Sequence, residues 1–198
     1  MSAATRIVLG TTSIGGRRGS NIRLIIAGCA ILSPRLDSIQ RGRAVYISEI
    51  RIENFRLFGA GNKAFQLSLK PGLTALVGEN DAGKTAIVDA LRFVLGTRDQ
   101  EPMRLELTDF HQSPSGDRAR EILIRLTFSE LTGADRSAFA EYLTYRGGAT
   151  PETTLILTWV ARRAENDGPV RRFMPIEWRT GEKADGPLLD VGARFLLQ

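Results

Sequence analysis

Residues Gly78-Glu79-Asn80-Asp81-Ala82-Gly83-Lys84-Thr85 match the pattern G-x-x-x-x-G-K-[ST] in full. Two glycines let the backbone curl so that successive N–H groups point inward at phosphate oxygens. Lys84 supplies a cation for the β and γ phosphates, and the Thr85 hydroxyl can ligate Mg²⁺. A helix starting at the loop adds its N-terminal dipole to the same anion site. A random chain of this length would contain the pattern roughly once in a hundred cases, and the flanking residues make chance a poorer account still. Leu73-Thr74-Ala75-Leu76-Val77 enters the loop as a short apolar run, the mark of a buried parallel strand. After Thr85, the residues Ile87, Leu91, Val94 and Leu95 share one helical face, and Gly96 supplies a stop. Strand, loop and helix together predict a nucleotide-binding site with ATP and Mg²⁺ as its ligands.

Charge gives no independent pointer to a partner. The net charge is +5, but residues 1–44 carry seven of the 27 Lys and Arg and one of the 22 Asp and Glu. Residues 45–198 are therefore near neutral, and bulk charge says nothing about DNA there. A single Cys29 excludes an internal disulfide, and one His with one Cys gives no zinc cluster, which fits a reducing, cytoplasmic compartment. No apolar run approaches the ~20 residues that span a bilayer, so no membrane is expected.

Residues 1–44 have no sustained periodicity and one apolar patch, Leu24 to Leu32. Three readings compete. Ile26-Ala27-Gly28-Cys29 is like a lipobox, but the apolar stretch before the Cys is short for a signal peptide. Arg enrichment with few acids suits an organellar transit peptide. The favoured reading is a start codon placed upstream of the true one, with Val45 opening the domain and 1–44 a disordered or weakly structured extension.

In residues 45–198, Ile50 and Ile52 alternate with Glu49, Arg51 and Glu53, and Phe65, Leu67 and Leu69 alternate with polar residues. These two strands are expected to pair antiparallel, with Gly59 to Lys63 in the connection. Further strands are predicted at Ile122–Phe128, at Leu155–Trp159, and at Arg171–Trp178, where Pro175 marks an edge or bulge. Short helices are predicted at Asp135–Leu143 and Pro187–Gln198. Leu131-Thr132-Gly133 reads as a turn into a helix. After residue 96 no apolar strand ends in the acid that would hold Mg²⁺ and orient water for hydrolysis.

Ile50-Arg51-Ile52-Glu53-Asn54-Phe55-Arg56-Leu57-Phe58, about twenty residues before Leu76 to Thr85, resembles the N-terminal ATPase lobe of RecF/SMC-type ABC ATPases. Within that group it is most similar to the OLD family of ATP-dependent endonucleases, which includes the Gabija nuclease subunit. Asp109-Phe110-His111 fits the same family. The resemblance implies an α/β P-loop NTPase fold, a mixed sheet with an antiparallel N-terminal hairpin, incomplete at its C-terminal side. It implies a parent that acts on DNA in defence or repair, forms a homodimer, and carries a Toprim nuclease domain. Walker B, the signature motif and the nuclease site are expected outside this chain, so no catalytic residue is assigned and the fragment alone is expected to be inactive. Gly78, Glu79, Asn80, Asp81, Ala82, Gly83, Lys84 and Thr85 carry over as the phosphate cradle, with Thr85 on the metal. Arg56 carries over as a basic residue near the nucleotide, its alternative being a solvated hairpin residue. Asp109 and His111 are weaker candidates in the manner of a Q-loop, against a capped loop with a lone surface His. The alternative parents are a RecF/SMC-type DNA-repair ATPase without nuclease, or a remnant that binds nucleotide without hydrolysing it.

Overall fold

The structure is a computed structural model. It describes residues 45–72, 74–79, 81–96, 103–147, 151–163, 174–182 and 185–193, and the backbone alone of 23–24 and 194–195. Leu73, Asn80 and Leu196 to Gln198, together with Arg171 to Phe173 of a predicted strand and the rest of the first 44 residues, lie outside the described residues.

The chain builds an antiparallel sheet with one long helix on its inner face. Strand β1 is Arg23–Leu24, β2 is Tyr46–Glu53, β3 is Phe65–Ser68 and β4 is Leu76–Val77. Helix α1, Lys84–Leu95, follows, then β5 (Glu121–Ser129), helix α2 (Gly133–Ala138), β6 (Leu143–Arg146), β7 (Glu152–Arg162), β8 (Ile176–Thr180) and helix α3 (Val191–Phe195). The order across the main sheet is β3-β2-β5-β7-β6, with β8 also on β7. β6 pairs with Glu152 to Leu155 and β8 with Leu157 to Ala161, so the two share one edge of the long β7.

Alternation sets the register. Ile52, Ile124, Trp159 and Trp178 form one row across β2, β5, β7 and β8, and Ile50, Leu126 and Leu157 form the next. Ile50, Ile52, Ile122, Ile124, Leu126 and Leu157 are fully buried on that face. A one-residue slip would turn all of them outward, which is why the pairing is specific. β7 differs in being buried on both faces, with Ile156, Thr158 and Val160 inaccessible like Leu157, whereas β5, which also lies between two strands, keeps an alternating pattern. Helix α1 lies on the inner face through Ala86, Ile87, Ala90 and Val94. The Phe93 ring lies 5.2 Å from that of Trp159. The Trp178 indole N–H donates to the Val94 carbonyl at 3.2 Å.

The predicted hairpin is present as β2 and β3, paired antiparallel from Glu49↔Ser68 to Ile52↔Phe65. Three local expectations change. The run into the phosphate loop reads as a parallel strand, yet only Leu76–Val77 is strand, and it pairs antiparallel with β1. Val77 is 48% exposed, so an apolar run was not evidence of full burial here. The helix expected from Asp135 to Leu143 is α2 plus one 3-10 turn, Ala140–Tyr142, after which the chain extends as β6. Thr132 caps α2, its hydroxyl accepting the Asp135 N–H at 3.2 Å and Asp135 returning the bond to the Thr132 N–H. The helix expected from Pro187 begins only at Val191. Before it, the Pro187 carbonyl accepts from the Thr180 N–H and Leu189 donates to Trp178, both at 2.8 Å, so β8 recruits the segment as an edge.

Candidate functional site

Strand β4 delivers the chain into the loop, and two left-handed residues shape it: Asp81 with φ 68° and Gly83 with φ 90°. A side chain at Gly83 would be doubly disfavoured. Beyond the positive φ, a Cβ there would come within 2.9 Å of a Leu57 methyl and 3.1 Å of the Phe58 ring. The second glycine of the motif is thus backed by the turn that follows β2. Helix α1 opens at Lys84, and its first turn holds no acidic residue and no side-chain cap. The N–H groups of that turn lack helical partners and carry the positive end of the helix dipole. Lys84 lies back across the loop, its ammonium donating to the Gly78 carbonyl at 2.7 Å and also to the Glu79 carbonyl. Glu79, Asp81 and Thr85 are exposed, Ala82 half-buried and Gly83 buried. A bent loop, a lysine at its mouth, an exposed hydroxyl on the first turn and an uncompensated helix dipole suit an oxyanion with a hard cation.

Arg56 is not a solvated hairpin residue. Its Nε donates to Asp109 Oδ1 at 2.9 Å and its Nη1 to Asp89 Oδ2 at 2.6 Å. Asp89 sits on the second turn of α1 and also accepts from Arg92 at 3.4 Å. Both aspartates are buried, at 9% and 6% exposure. Burial works against the Arg56 cation, but its bonds to Asp109 and Asp89 outweigh that and leave its pKa above the ordinary value. The backbone of Arg56 is itself unusual, with φ 52°, as is that of Asn54 at 59°. For a long side chain that conformation costs energy and persists only where neighbours enforce it.

Those neighbours come from the segment after α1. The Arg56 N–H donates to the Asp109 carbonyl at 2.7 Å, and the His111 N–H to the Asn54 carbonyl at 2.9 Å. His111 Nδ1 lies 2.7 Å from the Arg56 carbonyl, where it donates. Asp109 also closes a 3-10 turn, Leu107–Asp109, by accepting the Glu106 N–H at 2.9 Å. Asp109 and His111 are therefore both joined to Arg56, and His111 is half-buried. A cleft of about 420 Å³ opens beside them, with Leu57, Phe110, Gln112 and Arg118 on its walls.

The structure keeps the described loop residues together and ties Arg56 to them through Leu57 and Asp89. Asn80 falls outside the described residues. Asp89 gave no signal in the sequence: it lies on the far side of the helix from Leu91 and Val94, where an acid reads as a solvated residue, and its burial comes from the fold that brings Arg56 onto it. Among the described residues, no three His, Cys, Asp or Glu side chains gather to hold a metal, and no helix is long and apolar enough to cross a membrane.

A family model described as an AAA domain (AAA_23) matches residues 49–185. The chromosome partition protein Smc of Methanocaldococcus jannaschii is 31% identical over 134 residues, covering 66% of this chain and 11% of that protein. Its counterpart in a Synechococcus species is 37% identical over 89 residues, covering 43% of this chain and 7% of the other. The chain thus spans about a tenth, or less, of the length of these relatives. A solved chain from work on ATP-driven dimerization and DNA-stimulated activation of SMC ATPases covers 77% of this chain, and 75% of it is covered in turn. It is 18% identical with a TM-score of 0.49, a likeness too loose to carry an argument. The family match spans the hairpin, the phosphate loop and the strands β5 to β8, and on it the chain belongs to the AAA domain family, as a RecF/SMC-like ATPase domain of α/β P-loop fold.

Proposed function

We propose that this domain binds ATP with Mg²⁺ through Gly78 to Thr85, and that it serves as the N-terminal lobe of an OLD-like, ATP-dependent endonuclease acting on DNA. The observation that carries the nucleotide reading is the loop itself. A left-handed Gly83 backed by Leu57 and Phe58 leads into a helix whose first turn has no acid. The backbone N–H groups of 78–85 would cradle the phosphates, Lys84 would leave the Gly78 and Glu79 carbonyls for the β and γ phosphates, and Thr85 would ligate the Mg²⁺. The bound metal would neutralise phosphate charge there. Arg56 is the basic residue proposed to stand beside the nucleotide. The domain would begin at Val45, with residues 1–44 an extension that meets it where Arg23–Leu24 pairs with β4, and a cytoplasmic homodimer of the parent would bring two such lobes to DNA.

A second reading has its own support. The named relatives are chromosome partition proteins, which favours a RecF/SMC-type parent that maintains or repairs DNA without a nuclease. The coding sequence beyond residue 198 separates the two: a Glu followed by a D-x-D pattern supports the nuclease, and a long heptad region supports the alternative.

Calorimetric titration of the full chain with Mg²⁺·ATP tests the nucleotide site. Lys84→Ala removes a charge-assisted contact and should weaken binding by roughly ten- to a hundredfold. Equal affinity in the two proteins would remove the phosphate-loop assignment.

A further inference from the structure

Arg56 joins three segments that are far apart in sequence, and the way it does so gives two aspartates a role. Its guanidinium spans Asp89 on α1 and Asp109 on the turn after α1, at 2.6 and 2.9 Å. Its main chain is held in a left-handed conformation by the Asp109 carbonyl on one side and His111 on the other. The next two residues, Leu57 and Phe58, are the ones that touch the back of Gly83. Leu57 is 49% exposed, while Phe58 is buried with its ring 5.0 Å from that of Phe65. The guanidinium also lies over the Phe55 ring at 4.9 Å, and Phe55 is fully buried and bridged to Phe110. The strained turn Asn54 to Phe58 is therefore anchored at Phe55, clamped at Arg56 and pressed on the phosphate loop at Leu57 and Phe58. Strain of this kind persists where the surroundings over-determine it, and it accompanies pre-organised sites.

We infer that Asp89 and Asp109 are positioning residues for the phosphate loop: through Arg56 they hold the Asn54–Phe58 turn against Gly83 and so keep the loop in its anion-binding shape. This rests on the phosphate-loop reading above. Neither aspartate touches the ligand in this scheme. A carboxylate on each side of one guanidinium fixes its direction as well as its charge, because the planar fork of Arg donates along set directions, whereas a lysine ammonium is a freely rotating point charge.

The test uses the full chain and a probe with no nucleoside, Mg²⁺·tripolyphosphate, beside Mg²⁺·ATP. Asp89→Asn and Asp109→Asn keep the shape of the side chain and remove its charge. Each should weaken both ligands by about tenfold, and Arg56→Lys should do the same. Val94→Ala, which creates a cavity in the core side of α1 away from the loop, serves as the control for lost stability. It should bind both ligands within about twofold of the parent chain. Amide hydrogen exchange without ligand gives a second readout: Asp89→Asn should speed exchange across residues 79–85 and leave β5 and β7 unchanged. Unaltered affinities in both Asn variants, or an equal loss in Val94→Ala, would overturn the inference. So would unaltered exchange at the loop, a result that needs no ligand and holds even if an Asp109 variant fails to fold. Failure of the phosphate-loop reading is distinguishable, since there Lys84→Ala leaves ATP binding as it was.

Discussion

The antiparallel sheet and the phosphate loop are held in opposite ways. β5 has β2 on one side and β7 on the other, and β7 has β5 opposite the shared β6 and β8 edge. Their inward side chains are inaccessible, and no single contact decides where they lie. The loop has two residues of β4 paired with two of β1, a half-exposed Val77, and one strained turn behind Gly83. Area holds the sheet, and a few directed contacts hold the loop. The contrast teaches where to look for each kind of damage. Core changes should appear in stability with the loop's chemistry preserved, while changes behind the loop should appear in ligand affinity with the sheet intact.

The sharpest way to break that division is at Trp159, which is 1% exposed and packs between β5, β8 and the Phe93 ring. Trp159→Ala should cost about 3–5 kcal/mol, the range for large aromatic truncations in a core. Urea unfolding followed by circular dichroism measures it. A cost under about 1 kcal/mol, the level of an ordinary surface change, would mean that the sheet is not the stabilising unit.

A smaller effect is expected behind the loop. Gly83→Ala adds a methyl where Leu57 and Phe58 already stand and asks an alanine to hold φ 90°. The strain is roughly 1–3 kcal/mol, and whatever share distorts the loop should weaken Mg²⁺·ATP by about tenfold. Titration and thermal unfolding, run on the same sample, divide the two. If affinity holds while stability falls, the loop belongs with the sheet and the comparison fails.

Where the sequence could be read, and where it could not, follows the same division. Ile50, Ile52, Ile122, Ile124 and Leu126 announce their strands because one wet face forces strict alternation. The helix after the loop was legible from Ile87 and Val94, and the loop from its own residue types. Leu76–Val77 misled because an apolar run has no period and so does not say which partner a strand takes or in which direction. β6 was hidden because Leu143 follows directly on a 3-10 turn with no glycine or proline to mark the change. The ion pairs of Arg56 were beyond reach for a different reason. They join residues 33 and 53 positions apart, and a single sequence carries charge types without their distances.

The smallest effect lies on the outer edge of the sheet, where charge rather than area is at work. The Glu177 carboxylate on β8 accepts from Arg179 Nε at 2.9 Å and from Arg162 Nη1 of β7 at 3.1 Å. The hydrogen bond from Arg179 comes first and that from Arg162 adds to it, and together they hold the Glu177 pKa below the ordinary glutamate range against the opposing effect of burial. A carboxylate whose pKa is lower in the folded chain stabilises it above the unfolded value, and that contribution is lost as pH falls through the folded value. The pair is partly exposed, so screening limits it to under about 1 kcal/mol. Glu177→Gln should therefore unfold slightly more easily near neutral pH, and the two proteins should converge as pH falls from the ordinary glutamate value of about 4.3 down through the lowered folded value, where the wild-type carboxylate takes up its proton. Guanidinium would screen the effect, so urea titrations across pH 3 to 7 at low salt are the measurement. A gap that stays constant over that range would assign the loss to packing on β7, and the edge would then obey the same rule as the core.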